Sequence, residues 1–199
     1  MNKKIFLASS SPRRKELLTL AGVEFEIKIP DVDEAQFPHE SPVQMVKRLA
    51  FEKASTVWRN ELGPGESRIV LAADTTVVSA KGKVLGKPTT KAEAIEMILL
   101  LQGKVHKVHT GYALLEVVKG ELARKRIRSV ETRVYIRPLS RIEARMYVDR
   151  GESLDKAGAY AAQGHGMTII KKIEGSYTNV VGLPMSEVIE DLQKFGWKP

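Results

Sequence analysis

The stretch Ile69-Val70-Leu71-Ala72-Ala73-Asp74 decides how the rest of the chain is read. Five apolar residues in succession, with no polar alternation, suit a strand covered on both faces, as strands of α/β sheets are. Such a strand needs helices above and below it, and the sequence provides them on either side. Asp74 stands at the carboxyl end of the run, where ligands bind in α/β sheets.

Upstream, Lys4 to Ala8 reads as a strand, and Ser11-Pro12 as the N-cap and pre-set first position of a helix over Arg13 to Leu20, ended by Gly22. Phe25, Ile27 and Ile29 alternate with charged residues as in a half-buried strand, stopped by Pro30. After a polar loop from Asp31 to Glu40, Ser41-Pro42-Val43-Gln44 opens a helix to about Trp58 with the apolar stripe Val43, Val46, Leu49, Ala50, Ala54 and Val57. Downstream, Thr75 to Ser79 and Lys83 to Leu85 form short strands joined at Lys81-Gly82. Thr90 caps a helix that ends at Gly103. Val105 to Ile136 makes a long hairpin turning at Lys119-Gly120, and Ser140 with Glu143 caps a third helix. A glycine-rich loop from Gly151 to Gly166, a strand near Met167 to Ile173 and a helix from about Pro184 to Phe195 complete an α/β domain with a mixed sheet.

The 199 residues, 43% hydrophobic, fit one large domain or two closely joined lobes. No run approaches the roughly 20 apolar residues a membrane-spanning helix needs. The start, Met1-Asn2-Lys3-Lys4 before Ile5-Phe6-Leu7-Ala8, has too short an apolar part for a secretory signal and is expected to be the first strand. The absence of cysteine excludes disulfides and thiolate metal sites, and the cytoplasm is the expected compartment. A net charge of +8, from 32 basic and 24 acidic residues, favours a polyanionic partner: nucleotide, nucleic acid or anionic membrane.

Function is sought where charged residues interrupt a local pattern. Ser9-Ser10-Ser11-Pro12-Arg13-Arg14 runs from a strand into a helix start, where backbone N–H groups and paired guanidiniums suit phosphate, although a surface salt bridge would also explain the arginines. It is not a Walker A loop, because the glycines and the Gly-Lys-Ser/Thr ending are absent. Lys53 falls on the apolar stripe of its helix and either snorkels to the surface or aims at an anion. Asp74 is placed to accept a proton or bind a metal, or else caps a turn through Thr75 and Thr76. Asp31, Asp33 and Glu34 offer hard oxygen ligands or are merely solvated. In Leu154 to Gly164 small residues let backbone approach a ligand, and Gln163 can read a base edge. His106 and His109 fall on opposite faces of one strand, which argues against a shared metal.

Together, Leu7-Ala8-Ser9-Ser10-Ser11-Pro12-Arg13-Arg14, Ala73-Asp74-Thr75, Gly86-Lys87-Pro88, His106 with Thr110-Gly111, Asp155-Lys156-Ala157-Gly158-Ala159-Tyr160, and Gly175-Ser176-Tyr177 with Val181-Gly182-Leu183-Pro184 closely resemble the Maf family, in the family's order over almost the whole chain. The resemblance implies a single domain over residues 1–199 with the fold of the inosine triphosphate pyrophosphatases: an elongated mixed sheet, flanking helices and a cleft between two lobes, usually in a homodimer. It implies hydrolysis of a nucleoside triphosphate to the monophosphate and pyrophosphate with Mg²⁺ or Mn²⁺. Arg13-Arg14, Gln163 and Gly175-Ser176-Tyr177 resemble the branch acting on dTTP and UTP; the alternative is the branch acting on methylated GTP. Carried onto this sequence, Asp74 is the general base and, with Glu34, a metal ligand. Ser9, Arg13, Arg14, Lys53 and Lys87 meet the phosphates, and Thr75 and Gln163 bear on the base. Ala161-Ala162 departs from the Gly-Ile often found before Gln163.

A reading of another class, a basic nucleic-acid-binding protein, rests on Arg124, Lys125, Arg126 and Arg128 along the hairpin. The scarcity of aromatic residues among them weakens it.

Overall fold

Why the 69–73 run is wholly apolar is plain in the computed structural model, which describes residues 4–198: all five side chains are fully buried. The basic start, Met1-Asn2-Lys3, lies outside the described residues. The elements are β1 (Ile5–Ala8), α1 (Pro12–Leu20), β2 (Phe25–Lys28), α2 (Pro42–Glu61), β3 (Arg68–Val78), β4 (Val84–Leu85), α3 (Lys91–Leu101), β5 (Val105–Val118), β6 (Glu121–Ile136), α4 (Arg141–Val148), β7 (Ile170–Glu174), α5 (Tyr177–Val181) and α6 (Met185–Lys194). Short 3-10 turns fall at Ala157–Ala159 and Gly164–Thr168.

The strands form one seven-stranded sheet in the order β2-β1-β3-β5-β6-β7, with β4 paired to β3. It is mixed: β1 lies parallel to both β2 and β3, while β4 and β7 run antiparallel to their partners. The β5–β6 hairpin turns at Lys119 and Gly120, both at positive φ (54° and 86°), the geometry of the two-residue turns that match strand twist.

Two expectations change. β3 does not end at Asp74 but continues to Val78, so Asp74 is a mid-strand residue. What does end is the pairing with β1, whose last partner is Ala72. Asp74 therefore sits just past the carboxyl end of the parallel β1–β3 ladder, and the strand-end rule applies to β1. The second change is β2, which ends at Lys28: Ile27 within it and Ile29 just beyond it are both exposed. As an edge strand, β2 has a covered partner on one side only, and its Lys28 is held by Glu26 and Glu61, both at 2.9 Å.

The chain divides into two compact units, and it passes from one to the other within β3, β5 and β6 and again after α5. The first holds the residues up to Asp74, Thr110–Val130 and those from Gly182 on. In it α2 packs Ala50, Ala54 and Val57 with Phe6 and Ala8 of β1, Val70 and Ala72 of β3, and Ala113 and Leu115 of β5. The sheet meets this helix closely at Gly111, where a Cβ would press into the Val46 carbonyl, so only glycine fits. The second unit, Thr75–His109 and Glu131–Val181, centres on Ile98 and Leu101 of α3, Val108, Val134 and Ile136 of the sheet, and Tyr147 and Val148 of α4.

Candidate active site

In the first unit the chain leaves β1 at Ala8 and enters α1 four residues later, with Ser11 as N-cap and Pro12 at the first turn. The Ser11 side chain makes no capping bond, which leaves the helix start to other acceptors. Ser9, buried, turns its Oγ back into the loop, where it accepts from the Ser11 amide (3.2 Å) and from Arg14 Nη1 (3.3 Å). Arg14 Nε also donates to the Gly182 carbonyl at 2.9 Å. The Val181–Pro184 motif is thereby tied to the Ser9–Arg14 turn.

Lys53 neither snorkels nor points at empty solvent. It is buried on the α2 stripe with Val46, Leu49, Ala50 and Ala54, and its Nζ lies 2.5 Å from Glu34 Oε1 and 2.7 Å from Asp74 Oδ1. A core-facing ammonium is tolerable because it is paired on both sides. The two carboxylates are unequal, since the Asp74 side chain is 11% exposed and that of Glu34 51%. The helix turn and this triad share one electrostatic neighbourhood. Burial lowers the Arg14 pKa, the Asp74 charge opposes that, Arg13 adds to it, and Glu34 opposes it in turn. A guanidinium stays charged at neutral pH even so.

The acidic loop is held by residues the sequence did not single out. Arg48 of α2 grips Glu40 through Nε (2.7 Å) and Nη2 (2.8 Å), donates to the Ala35 carbonyl (2.9 Å) and stacks on Phe37 at 3.8 Å. These contacts anchor the chain immediately after Glu34. No local signal announces them, because residues eight apart from loop to helix meet only through tertiary structure. Asp33 is spent locally, accepting from the Ala35 amide at 2.9 Å, and Asp31 is exposed.

The remaining expected residues belong to the second unit. Thr75, half-buried, follows Asp74 on β3, and Lys87 is exposed in the loop after β4. The Gly158 amide donates to the Gly86 carbonyl (3.0 Å), so the Gly86-Lys87-Pro88 and Asp155–Tyr160 motifs meet. Gln163 is half-buried in the loop between Ala161 and Gly166. His106 is buried against Tyr160 (Nε2 to Oη 2.7 Å), and desolvation pulls its pKa down to about 4, so it is neutral. Burial also lowers His109, which faces Glu131 at 3.7 Å.

Among the described residues no cluster of three His, Cys, Asp or Glu side chains forms a ready cage for a metal. Glu34 and Asp74 nevertheless converge on one cation, the Lys53 ammonium. Two carboxylates complemented by phosphate oxygens and water fit Mg²⁺, which is commonly bound that way.

An α/β chain with a mixed sheet, a helix start carrying two arginines and a carboxylate–lysine triad is thus defined, and its fold is that of the Ham1 proteins. The structure aligns with a HAM1 protein from Coxiella burnetii (TM-score 0.51, 16% identity, covering 95% of this chain and 99% of that one). It aligns equally with the Ham1 protein of Staphylococcus aureus (TM-score 0.51, 12% identity, 97% of each chain). In sequence, residues 4–195 match the family model described as Maf-like protein. The chain belongs to the Maf family. A protein of Geobacter metallireducens named dTTP/UTP pyrophosphatase is 44% identical over 196 residues, 98% of this chain and 97% of its own. Proteins of that name from Geobacter sulfurreducens and Bacillus anthracis are each 45% identical over 97% of this chain, covering 97% and 96% of their own lengths.

Proposed function

We propose that the chain hydrolyses dTTP and UTP between the α- and β-phosphates, giving the monophosphate and pyrophosphate. The observation that carries this reading is the Lys53 ammonium held between Glu34 and Asp74 in the electrostatic neighbourhood of the Arg13–Arg14 helix start. The full-length likeness to proteins named for this activity supports it.

In this reading Asp74 accepts the proton of the water that attacks the α-phosphorus, and pyrophosphate leaves with the α–β bridging oxygen. Lys53 orients the carboxylate through Oδ1. Arg13 and Arg14 at the helix start, Ser9, Lys53 and Lys87 meet phosphate oxygens, fixed charges and dipoles of the kind that dominate phosphoryl chemistry. Glu34 and Asp74 would hold a Mg²⁺ or Mn²⁺ ion, which when bound neutralises charge on the triphosphate. Gln163 and Thr75 bear on the base, because a site that must satisfy polar base edges rejects the wrong ring strongly. The protein is proposed to act in the cytoplasm as a homodimer; light scattering on the purified chain reports the second point.

The test is a panel of nucleoside triphosphates with Mg²⁺, scored for pyrophosphate against orthophosphate. Pyrophosphate from dTTP and UTP is expected, and Asp74→Asn should lower turnover about a thousandfold with binding largely kept. Release of orthophosphate and a diphosphate overturns the cleavage site. Activity confined to methylated GTP moves the chain to the sister branch.

A further inference from the structure

The loop that carries Gln163 is braced at both ends by α4 and the turn that follows it. At one end the Ala161 amide donates to the Tyr147 hydroxyl at 3.1 Å. At the other the His165 amide donates to Glu152 Oε2 at 3.1 Å. Tyr147 is the buried penultimate residue of α4, and Glu152 follows four residues after the helix ends, beyond Gly151 at φ 87°. Five residues, Ala161 to His165, therefore span two fixed points with Gln163 at the centre.

The arc is also tight. Gly166 lies against the Ala161 carbonyl so closely that any Cβ there would collide with it, which closes the loop on itself. Gly164, at φ +62°, sits over the Glu152 carboxylate, and a Cβ would stand 2.6 Å from Oε1 and 3.1 Å from Oε2. The carboxylate thus fills the space under Gly164 while it holds the next amide. Arg150 Nη1 contacts His165 Nδ1 at 3.0 Å, adding a second link to the same end. Tyr147 serves here as a phenol, since burial first and the Glu152 charge second among the raising effects push its pKa up to about 12.

Tyr147 from the end of α4 and Glu152 from the turn after it are each spent on a backbone amide flanking a single glutamine; Tyr147 also packs in the core, whereas Glu152 is not part of it. We infer that Glu152, with Tyr147, is a positioning residue for Gln163: it fixes the arc so that the carboxamide is presented to the pyrimidine base in one orientation. The inference rests on the proposed function and adds to it a determinant of base selectivity outside the residues that meet the substrate. A carboxamide on a free loop offers donor and acceptor in many directions and discriminates poorly; on a clamped loop it offers one pattern.

The experiment compares kcat and KM for UTP and CTP in the wild type, Glu152→Ala, Glu152→Gln, Gln163→Ala and the Gln163→Ala/Glu152→Ala double variant. Glu152→Ala is expected to raise KM for UTP about tenfold with kcat nearly kept, and to shrink the UTP-over-CTP preference by a similar factor. Glu152→Gln, whose amide oxygen still accepts from the His165 amide, should recover most of the preference. In the Gln163→Ala background the loss of Glu152 should change the preference no further, because the residue acts through Gln163. A further fall in that background, or a fall in kcat equal for both nucleotides, overturns the inference. Should Glu152→Ala fail to fold, Glu152→Asp keeps the charge and withdraws the carboxylate by one methylene, and the same cycle applies. A wild type that releases no pyrophosphate from UTP refutes the proposed function instead, so the two failures are distinguishable.

Discussion

Replacing Lys53 by methionine keeps an unbranched stem in the α2 stripe and removes only the ammonium. At 2.7 Å from Asp74 the attraction is about 6 kcal/mol at an effective dielectric of about 20, and most of it is offset by the desolvation of two buried ions. The net worth of the pair is therefore small, but the cost of breaking it from one side is not. Lys53→Met leaves the Asp74 carboxylate, 11% exposed, without its ammonium, and a loss of about 3–5 kcal/mol is expected. Glu34 contributes little to that figure, because a half-exposed carboxylate recovers its hydration. Adding Asp74→Asn to Lys53→Met should restore about 2 kcal/mol, since the uncompensated charge is gone.

Urea unfolding at pH 7, followed by tryptophan fluorescence, measures this on the right part of the molecule. Both tryptophans, Trp58 and Trp197, belong to the unit that carries the pair. A loss under 1 kcal/mol for Lys53→Met, or strictly additive effects in the double variant, would refute the account of a buried, mutually dependent pair. Both variants should lack activity, so that restored stability without restored turnover separates the two roles of the residues.

Glu34→Gln should change stability by less than about 1 kcal/mol while raising the Mg²⁺ concentration needed for half-maximal pyrophosphate release, read by metal titration after chelation. Asp191 is fully buried, and burial alone would raise its pKa, but hydrogen bonds from Tyr112, Lys194, Arg128 and Arg126 outweigh that and hold it at about 2. A folded pKa below the unfolded value of about 3.9 stabilises the protein above that value and is lost as pH falls through about 2. Asp191→Asn should therefore cost about 2 kcal/mol at pH 7 and roughly half as much at pH 3 in urea titrations, and a pH-independent cost would contradict the assignment. Gly111→Ala should destabilise by about 1–3 kcal/mol in the same assay, because the new methyl group displaces α2 at Val46.

Helices and the long hairpin were legible because each carries a local signature. Ser41-Gln44 and Ser140-Glu143 form complete capping boxes, and the turn residues Lys119-Gly120 fall where expected. Asp74, Lys53 and the Ser9–Arg14 turn were legible for the opposite reason, as charges placed against their surroundings. The true length of β3 was not, because its extension beyond Asp74 is set by pairing with β4, at Val77↔Leu85 and Val78↔Val84, rather than by residues 74–76. The short α5 has too few residues to show a period. The Arg48–Glu40 clamp, the Arg14–Gly182 bond and the Glu152 brace escaped because each joins residues through the fold, and no spacing rule reaches across a loop.

The net charge of +8 left nucleotide and nucleic acid both open, and the partners of the basic residues weigh between them. On β6 Arg124 pairs with Glu116 at 3.0 Å and lies 3.9 Å over Phe195, Lys125 lies over Phe51, and Arg126 and Arg128 both reach Asp191 at 3.2 Å. These cations tie the hairpin to α2 and α6, and their alternation follows the strand rather than a phosphate backbone. A nucleic-acid groove needs its lysines and arginines turned outward as a stripe, with aromatic faces between them; here the aromatic faces are already covered by the cations. Arg14 is also held, by Ser9 and Gly182, but its bonds fix it at a helix start, where phosphate is favoured by the dipole and the backbone amides. The same residue type thus serves packing on β6 and, in the proposed function, an anion site on α1. The surroundings differ: on β6 one buried carboxylate, Asp191, is shared by Arg126 and Arg128, whereas the start of α1 lies in the electrostatic neighbourhood of a triad whose most exposed carboxylate, Glu34, is in the proposed function the partner that Lys53 exchanges most cheaply for a phosphate oxygen.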